Sequence, residues 1–250
     1  MIRIPILHAG LREAFPPVEL ALDDPNGLLA AGGDLSVTRL LDAYRRGIFP
    51  WYSADEPILW WAPDPRMVFA TDRVHVATKL RRWLRTCDWT IAADRNFAGV
   101  MRACAAPRPK QPTSWIGSAM FDAYCRLHAS GHAHSVEVYA GAELVGGIYG
   151  VAVGRMFFGE SMFSARSNGS KVALLALCHV LHDWGFPLID AQVKSPHLIT
   201  LGAFELPRRR FVAHLDDYCE REFVPGNWRG RWALERTCEL ISLPAIAQTS

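Results

Sequence analysis

Apolar positions change their spacing several times along the chain, and each change marks an element. From Val145 to Glu160 the residues read as strand material broken at Gly146, Gly147, Gly150 and Gly154. Glycine inside a strand marks a bulge or a place where something approaches the backbone closely, so a hairpin forming one wall of a site is predicted here. After the turn-rich loop Ala165-Arg166-Ser167-Asn168-Gly169-Ser170, the residues Val172, Leu174, Leu175, Leu177, Cys178, Val180, Leu181 and Trp184 run almost all round a helix. Ser170 is placed to cap it and Gly185 to close it. A helix apolar on every side is a buried one. Leu188 to Gln192 then returns to strand character. Strand, helix and strand in about 40 residues fit a crossover joining parallel strands, with ligands expected at the strands' carboxyl ends. Those ends carry Glu160, Asp190 and Gln192; the last two, two apart on extended backbone, are expected to leave the same face.

Upstream, Ser36 to Arg46 has helical spacing, with Leu40, Leu41 and Tyr44 on the apolar face, Ser36 as cap and Gly47 as stop. Val76, Leu80, Trp83 and Leu84 recur at helical spacing, and the opposite face carries Lys79, Arg81, Arg82 and Arg85. Such a face suits phosphates, and equally suits plain solvation. Trp89 to Ala92 reads as a short strand, and Asp94 is expected to cap a helix bearing Phe97, Val100, Met101 and Cys104. Ala105 to Pro112 is a proline-rich loop. A helix follows from about Ser118 to Ser130, with Met120, Phe121, Tyr124 and Leu127 inward, and then a strand from His134 to Tyr139. The segment 201–211 holds a short strand and the triple Arg208-Arg209-Arg210, and order signals fade from about Ala233.

Turn chemistry divides the chain. Residues 1–66 are dense in Pro, Gly and turn pairs, as in Asp24-Pro25-Asn26-Gly27 and Ala62-Pro63-Asp64-Pro65, which predicts a small N-terminal lobe with Trp60 and Trp61 in its core. Residues 67–232 form the larger domain and 233–250 a C-terminal tail, giving an α+β protein. Its 250 residues, half of them apolar, suffice for a substantial core. A net charge of +2 gives no global attraction to polyanions, so any nucleic acid must meet a local patch. The six cysteines are dispersed, without metal-ligand spacing, and read as buried thiols of a reducing compartment. No run approaches the roughly 20 apolar residues of a bilayer span, so the cytoplasm is the default and no membrane contact is expected.

Several chemistries fit poorly. Ser161 has Gly159 before it but Phe163 after it, so the nucleophile elbow of a hydrolase is incomplete. His132 and His134 lack a third and fourth ligand, and no metal is expected. The order strand, strand, strand, helix, strand from 134 to 192 matches the core of the acetyltransferase-like (GNAT-type) fold. Coenzyme A users of that fold carry Arg/Gln-x-x-Gly-x-Gly/Ala before the central helix; here Arg166 and Gly169 keep the first marks and Lys171 ends the run, a partial signal.

Longer words settle the comparison. Pro25-Asn26-Gly27-Leu28-Leu29-Ala30, Gly32-Gly33-Asp34-Leu35-Ser36, Arg46-Gly47-Ile48-Phe49-Pro50-Trp51, and Trp60-Trp61 through Pro63-Asp64-Pro65-Arg66 occur in order. Gly131-His132-Ala133-His134-Ser135, Gly159-Glu160-Ser161-Met162-Phe163-Ser164, Leu188-Ile189-Asp190-Ala191-Gln192, Leu201-Gly202-Ala203 and Pro207-Arg208 follow. In these the sequence closely resembles the bacterial leucyl/phenylalanyl-tRNA-protein transferases over nearly its whole length. The resemblance implies a small lobe joined to an acetyltransferase-like domain. The implied activity moves Leu or Phe, with Met as a further candidate donor, from aminoacyl-tRNA to the N-terminal Arg or Lys of a protein, marking it for degradation. It implies Asp190, Gln192 and Glu160 as catalytic residues, and Ile148, Phe158, Met162, Leu174 and Ile189 as the aminoacyl pocket. It also implies Trp51 and Trp115 beside the terminal adenosine, and Lys79, Arg81, Arg82 and Arg85, with the arginines at 208–210, against tRNA phosphates. Ile148 stands where Met is expected in relatives. No cofactor is implied, and a monomer is expected. A coenzyme A-dependent N-acetyltransferase and a non-catalytic tRNA- or peptide-binding module are the rival readings.

Overall fold

The computed structural model describes residues 4–11, 13–53, 55–107 and 114–242. Most of the proline loop expected between Ala105 and Pro112 therefore lies outside the described residues, as does the end of the tail.

The first part of the chain forms a small sheet from short strands: β1 (Ile6–Leu7), β2 (Leu28–Gly32), β3 (Phe49–Pro50) and β4 (Leu59–Trp61), in the order β1-β2-β4-β3. Between β2 and β3 lies α1 (Val37–Arg45), which begins where the Ser36 hydroxyl accepts the Arg39 N–H at 3.3 Å. It buries Leu40, Leu41 and Tyr44, as the spacing predicted. Trp60 is fully buried edge-on to Phe15, whereas Trp61 is only half-buried and donates its indole N–H to the Trp51 carbonyl.

The larger sheet takes its strands from the rest of the chain. The elements run β5 (Arg66–Ala70), α2 (Thr78–Leu84), β6 (Thr90–Ala93), α3 (Phe97–Ala105), α4 (Ser118–Ala129), β7 (Ala133–Ala140) and β8 (Glu143–Val153). Then come β9 (Met156–Ser164), α5 (Gly169–Asp183), β10 (Leu188–Gln192), α6 (Pro196–Thr200), β11 (Phe204–Leu206) and α7 (Arg208–Tyr218). The seven strands stand in the order β11-β5-β10-β9-β8-β7-β6. Strands β7, β8 and β9 form an antiparallel meander, while β10 runs parallel to β9, so α5 is the crossover that the sequence pattern called for. The start of that helix rests directly on β8: a Cβ on Gly146 would lie 2.3 Å from the Gly169 backbone. Only two adjoining glycines permit that approach.

Two cores flank this sheet. One joins Phe97, Met101, Met120, Tyr124, Tyr149 and Phe158 to α1 and to the small sheet; the other gathers α5 with Leu80, Leu84, Trp228 and Leu240.

Three local expectations are corrected. The α5 cap position belongs to Asn168, at φ 77°, and Ser170 lies inside the first turn with its N–H donated to the Ser164 hydroxyl at 2.8 Å. Asn96, not Asp94, caps α3 by accepting the Gly99 N–H. Asp94 instead turns inward, accepting N–H bonds from Ser135 and Trp228 and facing the His134 ring at 2.9 Å. His134 stacks on Trp228 at 3.8 Å and so serves the core. Of the expected tail, the described residues 234–242 are built in: Leu234, Thr237 and Leu240 are buried, Arg236 bridges to Thr90, and Thr237–Ser242 makes a 3-10 turn. Its apolar residues are too few and too irregularly spaced to show a period. Helix α7 went unread because the three arginines dominate its first turn, although Phe211 and Leu215, four apart, are its buried stripe.

Candidate functional site

A cavity of about 390 Å³ opens where the carboxyl ends of β9 and β10 meet the small sheet. Two β-bulges shape it. On β9, Tyr149 faces Ser161 and Gly150 faces Gly159, so Glu160 has no partner across the strand pair. On β10, Asp190 faces Val68 and Gln192 faces Met67, leaving Ala191 over, and Gln192 adopts φ 63°. A bulge re-aims the side chain it carries. Simple alternation, which placed Asp190 and Gln192 on one face, therefore fails at this point, and the two side chains part.

Asp190 is fully buried and turned to Arg66. The guanidinium grips it with two bonds, Nε to Oδ1 at 2.8 Å and Nη2 to Oδ2 at 2.7 Å, and its third nitrogen donates to the Gly47 carbonyl at 2.9 Å. The rings of Phe49 and Phe211 lie 4.7 and 4.8 Å from the guanidinium carbon. One arginine thus ties β5, the turn after α1, α7 and β10 together, and its planar fork is the shape this pairing requires. Asp190 Oδ1 in turn accepts the Gln192 backbone N–H at 2.9 Å, which fixes the left-handed turn of β10.

The Gln192 side chain goes to Glu160, donating its amide N–H to Oε1 at 3.0 Å. Tyr44 lies 2.7 Å from the same oxygen and Tyr124 2.9 Å from Oε2, and the two phenol oxygens also touch, so two phenol protons serve three contacts. Withdrawal from water pushes the Glu160 carboxyl up to about 7; the phenol bonds oppose that rise, Asp190 adds to it, and the Gln192 amide opposes it. Burial and the Glu160 charge hold both tyrosines well above the usual phenol range, so they stay neutral donors.

Most of the remaining wall is apolar: Phe69, Ile148, Met162, Leu174, Ile189 and Leu198, with Phe49, Trp51 and Trp115 also lining it, while Ser161 and Ser195 add hydroxyls.

Residues 68–216 match the family model described as leucyl/phenylalanyl-tRNA protein transferase, and residues 33–64 match that of its N-terminal domain. The chain belongs to the leucyl/phenylalanyl-tRNA protein transferase family. A leucyl/phenylalanyl-tRNA–protein transferase of Xanthomonas euvesicatoria pv. vesicatoria is 58% identical, covering 91% of each chain. One of Xylella fastidiosa is 53% identical over 91% of this chain and 94% of its own. Among solved structures, that of L-PGS from Bacillus licheniformis has a TM-score of 0.37 at 10% identity, over 68% of this chain and 57% of that one, a likeness too loose to fix the fold.

The residues that resemblance to this family singled out do not all share one place. Ile148, Met162, Leu174, Ile189, Trp51, Trp115, Glu160, Asp190 and Gln192 line the cavity. Phe158 does not. It is wholly buried 4.9 Å from the Tyr44 ring, in the core that joins α1 and the small sheet, whereas Ile148, Leu174 and Ile189, with Met162 packed against them, belong to the core around α5. Lys79, Arg82 and Arg85 are exposed on α2 and Arg81 is half-buried, and none of them lines the cavity. Arg208 is committed internally, donating to the Ala62 carbonyl at 2.7 Å, which leaves Arg209 and Arg210 as the exposed members of the triple.

Arg66, Tyr44 and Tyr124 were not picked out for the site. Arg66 lies 124 positions before Asp190, and Tyr44 lies 116 before Glu160. A buried cation among apolar strand residues was the only signal, and it names no partner.

Proposed function

We propose that this chain transfers Leu or Phe from aminoacyl-tRNA to the N-terminal Arg or Lys of acceptor proteins, forming a peptide bond. In this reading residues 67–232 are an acetyltransferase-like (GNAT-type) catalytic domain, 1–66 a lobe that closes one side of the site, and the acylated protein is marked for degradation by its new N-terminal residue. Family membership supports the activity. The observation that carries the mechanism is the cavity itself, which sets an apolar end, Ile148, Met162, Leu174 and Ile189, beside a polar end, Glu160 and Gln192.

The donor ester is already activated and the nucleophile is an α-amine of ordinary pKa about 7.7–8.0, so roughly a tenth of it is neutral at pH 7. Holding amine and carbonyl within attack distance lowers the barrier by at most ~7–11 kcal/mol. Gln192 suits that work: its amide N–H is occupied by Glu160, which orients its carbonyl as the free acceptor for an amine N–H. Asp190 and Arg66 hold its backbone. The aminoacyl side chain fills the apolar end, where shape and desolvation choose among side chains. Trp51 and Trp115 offer their faces to the unpaired adenine, and Lys79, Arg81, Arg82 and Arg85 meet phosphates farther along the tRNA without reading bases.

The test is transfer of radiolabelled Leu from Leu-tRNA to a protein beginning with Arg. Label in the acceptor, lost with Gln192→Ala, supports the reading. Acetyl transfer from acetyl coenzyme A without tRNA, or tRNA binding with no transfer, refutes it.

A further inference from the structure

Among the described residues, Glu160 is the cavity carboxylate that has no cation beside it. Asp190, its acidic neighbour, is matched by Arg66. Every group that holds Glu160 is a neutral donor: Tyr44 from α1, Tyr124 from α4 and the Gln192 amide from β10. Tyr149 of β8, the remaining phenol near this carboxylate, lies edge-on to Tyr124 at 5.9 Å, and its hydroxyl has no hydrogen-bond partner among the described residues. Oε1 accepts two bonds and Oε2 one. An ionised carboxylate offers roughly four acceptor positions, so one on Oε2 is left for something else. Since Glu160 lines the cavity, that something arrives from the substrate side. A charge withdrawn from water and bonded only to neutral groups calls for a positive ligand.

We propose that Glu160 binds the acceptor's α-ammonium group and takes its proton, delivering the neutral amine beside Gln192. The inference rests on the transferase reading above and assigns a proton acceptor to it. The step balances without any co-reactant. R–NH₃⁺ and Glu160–COO⁻ become R–NH₂ and Glu160–COOH. The nitrogen lone pair attacks the ester carbonyl, the C–O bond to the adenosine ribose breaks, and the second N–H proton goes to the departing ribose oxygen. Glu160 then releases its proton to water, which is the one proton that ammonium acylation yields. A carboxyl held up to about 7 is matched to this exchange, since it accepts from an ammonium at neutral pH and is still able to release afterwards.

The experiment is the single-turnover transfer rate from Leu-tRNA between pH 6 and 9, with two acceptor peptides. One begins with Arg bearing its ordinary α-amine. The other carries an aminooxy group in place of that amine, and its nitrogen is unprotonated over this range. With the amine, the unaltered protein should lose rate only below about 7, under the amine's own pKa of about 8. With the aminooxy peptide that acid limb should vanish. Glu160→Gln should move the amine limb up to about 8, losing about fivefold at pH 7 but almost nothing extra at pH 9, while any loss with the aminooxy acceptor should be the same at every pH. The same loss at both pH values and with both acceptors would reduce Glu160 to a structural part and overturn the inference. Should Glu160→Gln not fold, the unaltered protein decides alone: an acid limb that stays in place with the aminooxy peptide overturns it. No transfer to either acceptor at any pH sinks the transferase reading as well, whereas transfer without the predicted limb sinks only this step.

Discussion

Removing the guanidinium of Arg66 tests how the site is held. Both members of the Arg66–Asp190 pair are sealed from water, at 1% and 0% side-chain exposure, so Arg66→Met strands a carboxylate in an apolar place. Breaking one side of such a pair costs about 3–5 kcal/mol. For a chain of this size each kcal/mol shifts the melting temperature by roughly 2–4 °C, so a fall of about 6–20 °C is expected. Adding Asp190→Leu removes the stranded charge. The Gly47 carbonyl loses its partner in both variants, so against the relief of the stranded charge, about 3–5 kcal/mol, stands only the Gln192 N–H left without Asp190, about 1–3 kcal/mol, and the double variant should regain about 2 kcal/mol, a few degrees, over the single one. It should not regain transfer activity, because the β10 backbone has lost the bond that turns Gln192. Thermal unfolding of the single and double variants, with transfer assayed on each, closes the cycle. A single variant melting within 2 °C of the parent, or a double variant no more stable than the single, would refute the account of Arg66 as the tie between the elements.

Further expectations concern the substrate and pH. Trp115→Ala should remove a stacking face worth about 1–3 kcal/mol and raise KM for aminoacyl-tRNA by about 5- to 150-fold with kcat little changed, as read from steady-state transfer kinetics. Arg82→Glu with Arg85→Glu should weaken tRNA binding for all sequences and flatten its salt dependence by about one unit of log–log slope per lost phosphate contact; unchanged binding at low salt would remove α2 from the interface. Glu137, buried and accepting bonds from Ser135, Asn96 and Arg95, is pushed up to about 7 by burial. The folded state then keeps a proton that the unfolded state has released, so stability contributed below pH ~4.5 is lost as pH rises through about 7. Melting temperatures of Glu137→Gln across pH 4–8 should show a shallower fall than those of the parent.

The frame of the protein was readable wherever one residue's neighbours in sequence are also its neighbours in space. The α5 crossover follows from apolar residues all round one segment, and the β8–β9 hairpin from its glycines. The α1 stripe follows from a 3.6-residue period. What stayed hidden depends on register. Glu160 and Gln192 owe their direction to bulges, and a bulge moves one residue without changing composition. Phe158 was expected in the pocket because the family resemblance implied it, yet it packs beside Tyr44 in the core on the other side of the sheet from Leu174 and Ile189. Arg66 and the two phenols come from distant segments, and chemistry that assembles only by folding leaves no local pattern.

The central claim is that one cavity holds the aminoacyl side chain, the terminal adenosine and the incoming amine together. A crystal structure with adenosine carrying a non-hydrolysable 3′-phenylalanylamide tests it most directly. The account predicts the phenyl ring among Ile148, Met162, Leu174 and Ile189, the adenine against Trp51 and Trp115, and the amide carbonyl within reach of Gln192. A ligand seated elsewhere, or bound with its ring outside the cavity, would contradict it.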